Sequence, residues 1–341
     1  MVAADLPAGT LLSKGRGRRA AVASHPVRGR QQRENAMNFA RRTLLGALVC
    51  LVSAHAGTAA ADWRDDVPVF RIGILGGALG DFQLRSFACL DRLVEQKMKV
   101  PAELFTSPNY DGVMQGLLEG ELDAAGLGAG TYAGVYLRDP DAVEPLVAVK
   151  QVDGSLGYHS VLFVRADSPY QTLDDLRGHS VMFTDRDSTS GFLVPHHELS
   201  RSGYPLRHFG SFGFSGSHPA TVRSVLDGQF DAGVTWTSGI GDYAEGHSRG
   251  NLRRMVQQGQ LDMSDLRILW SSSLIAEGPV VVRKALPQEA KDAYRQLLLE
   301  LPAQNRSCFE SITGGSAAGY ALVEHELYRT IVEIRSQLEG D

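Results

Sequence analysis

Three cysteines in the whole chain, none in a paired motif, set the first limits on what it can be. That is too few for a disulfide-dense scaffold, and no Cys/His spacing matches a metal site. His196 and His197 are adjacent, so they cannot share a helix face as joint ligands. The one apolar run of note, 43–52, falls short of the roughly 18 residues that a membrane-spanning helix requires. No Gly-x-Ser-x-Gly elbow is present, which removes the clearest sequence signal of a serine hydrolase. Neither a metal nor a cofactor is expected.

Positive charge is also scarce outside the N-terminal end. Residues 1–61 hold nine Lys/Arg against two acids, a net +7 in a chain of net −5, which leaves the remainder at −12. So acidic a body argues against nucleic acid or an anionic membrane as partner, and any anion must be held by local dipoles. Residues 1–36 are basic and lack hydrophobic periodicity. From Met37 the chain reads as a signal peptide: Arg41 and Arg42, the apolar run, then Ala54-His55-Ala56 or Ala59-Ala60-Ala61 as a cleavage site. We expect 1–36 to be an upstream over-extension and 37–61 a signal peptide, with export to the periplasm and a mature start near Gly57 or Asp62. Cys50 resembles a lipobox cysteine weakly, but it sits too deep in the apolar run. Cys89 and Cys308 remain, as one disulfide or as two buried thiols.

What the sequence does contain is a repeat. Leu118-Glu119-Gly120-Glu121-Leu122-Asp123-Ala124 and Leu226-Asp227-Gly228-Gln229-Phe230-Asp231-Ala232 share one pattern: helix end, Gly, polar residue, hydrophobe, Asp-Ala, strand. The same offset pairs Tyr110 with His218, each just before a helix. Strands expected over 69–75 and 102–106 correspond to strands over 180–184 and 209–214. Alternating β and α units imply two parallel sheets that bind ligand at their carboxyl ends, where the helices begin. Four loops, 76–81, 107–112, 187–191 and 215–219, would then face one cleft.

The third of these is the most telling. Ser188, Thr189 and Ser190 precede a helix that Pro195 prevents from starting much before Gly191. Hydroxyls, backbone N–H groups and a helix dipole converge there, which suits a tetrahedral oxyanion. An ordinary Ser/Thr N-cap is the plainer reading of the same residues.

Together, Asp187 to Gly191 in a strand-to-helix loop, Tyr110-Asp111, Gly157-Tyr158-His159-Ser160, Ser217-His218-Pro219 and the segment 270–279 resemble the periplasmic phosphate-, phosphite- and phosphonate-binding proteins of ABC importers. The resemblance covers roughly 70–301. It implies an α/β clamp of the type II periplasmic-binding-protein fold, with no enzymatic activity and an inner-membrane ABC permease as partner. Ser188, Thr189 and Ser190 would donate to the phosphorus oxygens from the second lobe and Tyr110 from the first. His218 would add an N–H, as imidazolium beside a bound dianion, and Tyr158 would wall the cleft near the hinge. In one respect the chain departs from the family: Gly278 stands where aminoalkylphosphonate binders place a carboxylate. The distal pocket is therefore expected to be uncharged and built from Trp236, Thr237 and Ser238, unless Glu277 turns inwards.

From these readings we expect lobe I over 62–169 plus 267–341 and lobe II over 170–266, with crossings at 160–165 and 267–271 and helices over 287–301 and 320–338. The expected function is capture of phosphonate, phosphite or phosphate for delivery to the permease, by a monomer. A ligand sensor for a membrane receptor or histidine kinase is the alternative on the same fold. A hydrolase with Ser190 as nucleophile, His218 as base and Asp187 as acid is the alternative in chemistry.

Overall fold

The computed structural model describes residues 62–75 and 80–340. Residues 1–36 and 37–61, expected as an upstream extension and a signal peptide, and most of the 76–81 loop lie outside the described residues. Among those described, no helix is long and apolar enough to cross a membrane.

Helix α1 (Trp63–Asp66) leads into β1 (Phe70–Leu75), α2 (Gly80–Met98), β2 (Ala102–Ser107), α3 (Tyr110–Leu118), β3 (Ala124–Gly126), α4 (Ala129–Arg138) and β4 (Val143–Lys150). The chain then enters a second sheet through β5 (Gly157–Arg165), β6 (Ser180–Phe183), α5 (Val194–Arg201), β7 (Ser211–Phe214), α6 (His218–Leu226), β8 (Ala232–Thr237), α7 (Asn251–Gln257), β9 (Leu266–Ser271) and β10 (Ile275–Ala276). It returns through β11 (Pro279–Arg283), α8 (Gln288–Gln304), α9 (Arg306–Thr313), β12 (Gly319–Leu322) and α10 (Arg329–Gly340). The first sheet runs β12-β4-β11-β3-β1-β2; the second runs β10-β5-β8-β6-β7, with β9 also on β5. This is the two-lobed α/β architecture that the resemblance implies.

The repeat is physical. β2-β1-β3 and β7-β6-β8 are matching parallel trios, each extended by antiparallel strands into a mixed sheet. Asp123 accepts from the backbone N–H of Arg71 at 2.9 Å and Asp231 from that of Ser180 at 2.8 Å, so the repeated acid pins the start of the central strand in both lobes. Gly120 and Gly228 adopt φ of 76° and 71°, the left-handed turn that ends each helix at no Cβ penalty. In β5, Val161 and Phe163 face the core beside α6 and α7, while Leu162 and Val164 face the core beside α5. A continuous apolar run of this kind marks a strand buried on both faces.

Two expectations change. Strands β5 and β9, placed at the crossing and counted with lobe I, both hydrogen-bond within the second sheet, along 161–165 and 266–271. The span 320–338, read as one helix, begins as strand: β12 pairs Tyr320 with Val149 and Leu322 with Val147 before α10 starts at Arg329. Pairing to an open sheet edge overrides the helical spacing there.

Cys89 on α2 and Cys308 on α9 form a disulfide that closes 219 residues of sequence. Closing so long a loop restricts the unfolded chain strongly, so reduction is expected to lower stability by about 2–5 kcal/mol. Thermal melts with and without dithiothreitol, against a Cys89→Ser/Cys308→Ser control that reductant leaves unmoved, check this.

Candidate functional site

The segment linking β6 to α5 does not begin as an α-helix. Residues Thr189–Leu193 form a π-helical turn capped by Ser188, whose Oγ accepts from the Gly191 N–H at 3.1 Å. Pro195 follows in the first turn of α5, where a missing N–H leaves nothing unsatisfied. Single π turns recur where backbone must be aimed at a site. All three hydroxyl residues, Ser188, Thr189 and Ser190, are 2–3% exposed, and buried hydroxyls need partners.

For Ser188 and Thr189 those partners come from the opposite lobe. The Gly130 N–H donates to Thr189 Oγ1 at 2.7 Å, and Thr131 Oγ1 donates to the Asp187 carbonyl at 3.2 Å. Tyr110, the first residue of α3, donates its hydroxyl to Ser188 Oγ at 3.2 Å. Buried Arg335 on α10 donates to the Gly130 carbonyl at 3.0 Å and pairs with the Asp187 carboxylate. Three side chains, Thr131, Tyr110 and Arg335, and the Gly130 N–H therefore fasten the first lobe to the loop that carries Ser188 to Ser190, and the lobes are closed.

A cavity of about 270 Å³ lies at this junction. Tyr110, Tyr158, Ser188, Thr189, Ser190, His218 and Trp236 all line it. Thr237 is not among its lining residues: it is buried at the end of β8, where its Oγ1 accepts from the Gly239 N–H at 3.3 Å. Tyr158 stacks edge-on against Trp236 at 5.2 Å between ring centroids. Burial pushes the Tyr158 phenol up to about 12, reinforced by the Glu277 charge and opposed by hydrogen bonds with Ser190 and Thr189. It is a hydroxyl donor at neutral pH.

His218 opens α6 as Tyr110 opens α3, with Ser217 as N-cap. Its Nδ1 lies 3.1 Å from Thr184 Oγ1 and 3.4 Å from Thr235 Oγ1, and Asn251 Nδ2 donates to that Thr235 oxygen at 3.0 Å. Burial pulls the imidazole down to about 3, so the expected imidazolium is replaced by a neutral ring. A neutral ring keeps one N–H, and with Nδ1 engaged by the threonine hydroxyls Nε2 is the nitrogen left for another partner.

The distal wall differs most from expectation. Glu277 does turn inwards: it is 4% exposed and paired with both terminal nitrogens of Arg249. Gln151 Nε2 also donates to it at 2.6 Å. Arg249 Nε donates to the Thr313 carbonyl at 2.7 Å, and its guanidinium sits 5.1 Å from the Trp236 ring centroid. Arg249, Arg254 and Glu277 therefore line the cavity where an uncharged wall of Trp236, Thr237 and Ser238 was expected. Sequence gave no sign of Arg249, which lies in an irregular stretch 28 residues from its partner. Gly278 is fixed by sterics, since a Cβ there would stand 1.9 Å from the Leu127 carbonyl oxygen. Among the described residues no cluster of His, Cys, Asp and Glu could hold a metal.

A family model described as the periplasmic substrate-binding protein of phosphonate ABC transporters matches residues 84–328. The phosphonates-binding periplasmic protein of Escherichia coli K12 is 29% identical over 204 residues, which are 58% of this chain and 56% of that protein. The phosphate-import protein PhnD of Mycolicibacterium smegmatis is 28% identical over 223 residues, 63% of this chain and 66% of its own. The chain thus spans between a half and two thirds of the length of these curated relatives. PhnD1 from Prochlorococcus marinus, solved in complex with methylphosphonate, shares the fold at a TM-score of 0.67 and 21% identity, over 80% of this chain and 99% of that one.

Two predictions follow from the geometry. Arg335→Met removes a clasp between the lobes and should raise the ligand Kd about tenfold, since hydrogen bonds to charged groups contribute about 1.5–3 kcal/mol; titration calorimetry reads the loss, and small-angle scattering reads a more open free form. For His218, the unfolded chain gains a proton below its ordinary pKa of about 6.5, while the folded ring stays neutral down to about 3. Stability of the free protein should therefore fall as pH drops below about 6.5, by up to ~1.4 kcal/mol per pH unit from this one group. His218→Gln should flatten that limb in urea titrations at pH 7 and 5.

Proposed function

The chain belongs to the periplasmic substrate-binding proteins of phosphonate ABC transporters, and on that premise we propose that it captures a phosphorus oxyanion in its interlobe cleft and delivers it to an inner-membrane permease. The observation that carries this reading is the convergence of donors from both lobes on one cavity. Tyr110 comes from the first lobe, and Ser188, Thr189, Ser190 and His218 come from the second. None of these groups is an acid, and all can donate to phosphoryl oxygens while the lobes are shut. Ligand that satisfies both sets shifts the clamp towards its closed form, the form a permease would recognise.

The hinge of this clamp is where the chain leaves one sheet for the other, at 151–156 and at Glu277-Gly278, which bounds the second lobe at 157–276. A clamp that must open freely works as a monomer. Export through the 37–61 signal segment accords with the Cys89–Cys308 disulfide, which persists in an oxidising compartment. Capture is also favoured over hydrolysis by the site itself. His218 Nδ1 faces Thr184 and Thr235, and the Asp187 carboxylate is held by Arg335, so Ser190, His218 and Asp187 do not form a relay.

Because Glu277 is paired with Arg249 and accepts from Gln151, it is not left to receive an ammonium. Burying an unpaired ammonium costs several kcal/mol. We therefore expect 2-aminoethylphosphonate to bind at least about tenfold more weakly than methylphosphonate, and calorimetry showing the reverse order would sink this assignment. Ser190→Ala should weaken methylphosphonate binding roughly tenfold or more, the loss of one charge-assisted hydrogen bond. A thermal-shift screen of phosphate, phosphite, methylphosphonate, sulfate and molybdate tests the reading as a whole: stabilisation by a phosphorus oxyanion supports it, and stabilisation by none of them removes it.

A further inference from the structure

The Arg335 clasp is one point of a longer fastening. Helix α10 rides on the first lobe for most of its length: Ile331, Val332 and Ile334 pack into the apolar cluster to which α4 contributes Tyr132, Ala133 and Val135. Just before the helix, Tyr328 donates its hydroxyl to the Glu277 carbonyl at 3.0 Å, where the chain passes between the sheets. The last turn of α10 leaves the first lobe. Leu338 packs against the core of the second, in the cluster that holds Phe192, Leu193 and Leu199. Arg335 reaches the Asp187 carboxylate from the turn before, and Glu339 Oε1 accepts from its Nε at 2.7 Å, which steadies the guanidinium. The first lobe makes room for this reach. A Cβ on Gly134 of α4 would stand 2.6 Å from Arg335 Cζ. From the second lobe, Val194 at the head of α5 enters the same α4 cluster.

None of Val194, Tyr328, Arg335 and Leu338 lines the cavity. Opening the lobes would return Leu338 to water and part Arg335 from its carboxylate, so this seam favours closure whatever occupies the cleft. We propose that α10 is a strap, tied at the hinge by Tyr328 and latched onto the second lobe by Arg335 and Leu338, that maintains a closed population in the free protein. An apparent Kd is the intrinsic Kd divided by the fraction of protein competent to bind. Residues that never touch ligand thus set its affinity from outside the pocket, and release requires the last turn of α10 to leave the second lobe. The strap goes beyond the oxyanion reading and holds for any anion that the cleft accepts.

The test is a distance measurement by pulsed electron paramagnetic resonance. Spin labels go on Glu121→Cys and Gln229→Cys, exposed positions at equivalent turns of the two lobes. With no anion added, the distance distribution should already contain the peak that saturating methylphosphonate enriches. Removing residues 338–341 should deplete that peak in the free protein. The same truncation should raise the Kd for methylphosphonate and for phosphate by one common factor, about three- to tenfold. Leu338→Ala, which keeps the chain length, should act in the same direction and decides the matter if the truncated chain does not fold. Distances in the free protein that neither variant changes overturn the strap. So does a Kd change that differs between the two anions, because the helix end would then be acting on the pocket itself. If neither anion binds, the oxyanion reading is removed, and the free-protein distances still decide whether the strap exists.

Discussion

Three adjacent hydroxyl side chains, buried where two lobes meet, are the constraint from which the rest of the molecule follows. A buried hydroxyl without a partner is expensive, and here the partners are divided between lobes. Thr189 takes the Gly130 N–H, Ser188 takes the Tyr110 hydroxyl, and Arg335 holds the preceding Asp187 from a helix at the far end of the chain. Opening the lobes breaks these bonds together and lets water reach the loop; closing remakes them around whatever fills the cavity. Affinity for ligand and the closed shape are thus one equilibrium.

Charge is arranged with similar economy. The body of the protein is acidic, so an anion gains nothing from the overall field, and recognition falls to local dipoles and neutral donors. Burial keeps His218 neutral, and threonine hydroxyls engage its Nδ1. On the distal wall, Glu277 would be the natural partner for a cationic tail, but Arg249 and Gln151 occupy it. Neutral donors therefore line one end of the cavity and the Arg249–Glu277 pair, with Arg254 beside it, lines the other.

Much of this was legible beforehand, for identifiable reasons. The 118–126 and 226–234 segments match because the same turn, left-handed glycine and strand-pinning aspartate recur in both lobes, and local chemistry of that kind is written in contiguous residues. Tyr110 and His218 could be paired because the repeat places each at the first position of an equivalent helix. Less visible were features that depend on distant segments. The Tyr320 to Leu322 strand reads as helix until β4 offers it an edge. Thr237 looks like a neighbour of Trp236 in the cleft, but strand alternation and the Gly239 turn direct it elsewhere.

The sequence by itself determined the two-lobed α/β repeat, the acidic body, and the Ser188 to Ser190 loop with Tyr110 and His218 as its companions, since each rests on residues within a few positions of one another. Tertiary structure alone decided the charge of the pocket and its depth. The Arg249–Glu277 pair joins residues 28 apart on different segments, and the cavity draws its walls from strands and helices far apart in sequence. A protonation state is likewise a property of surroundings, and His218 is neutral because folding removes it from water.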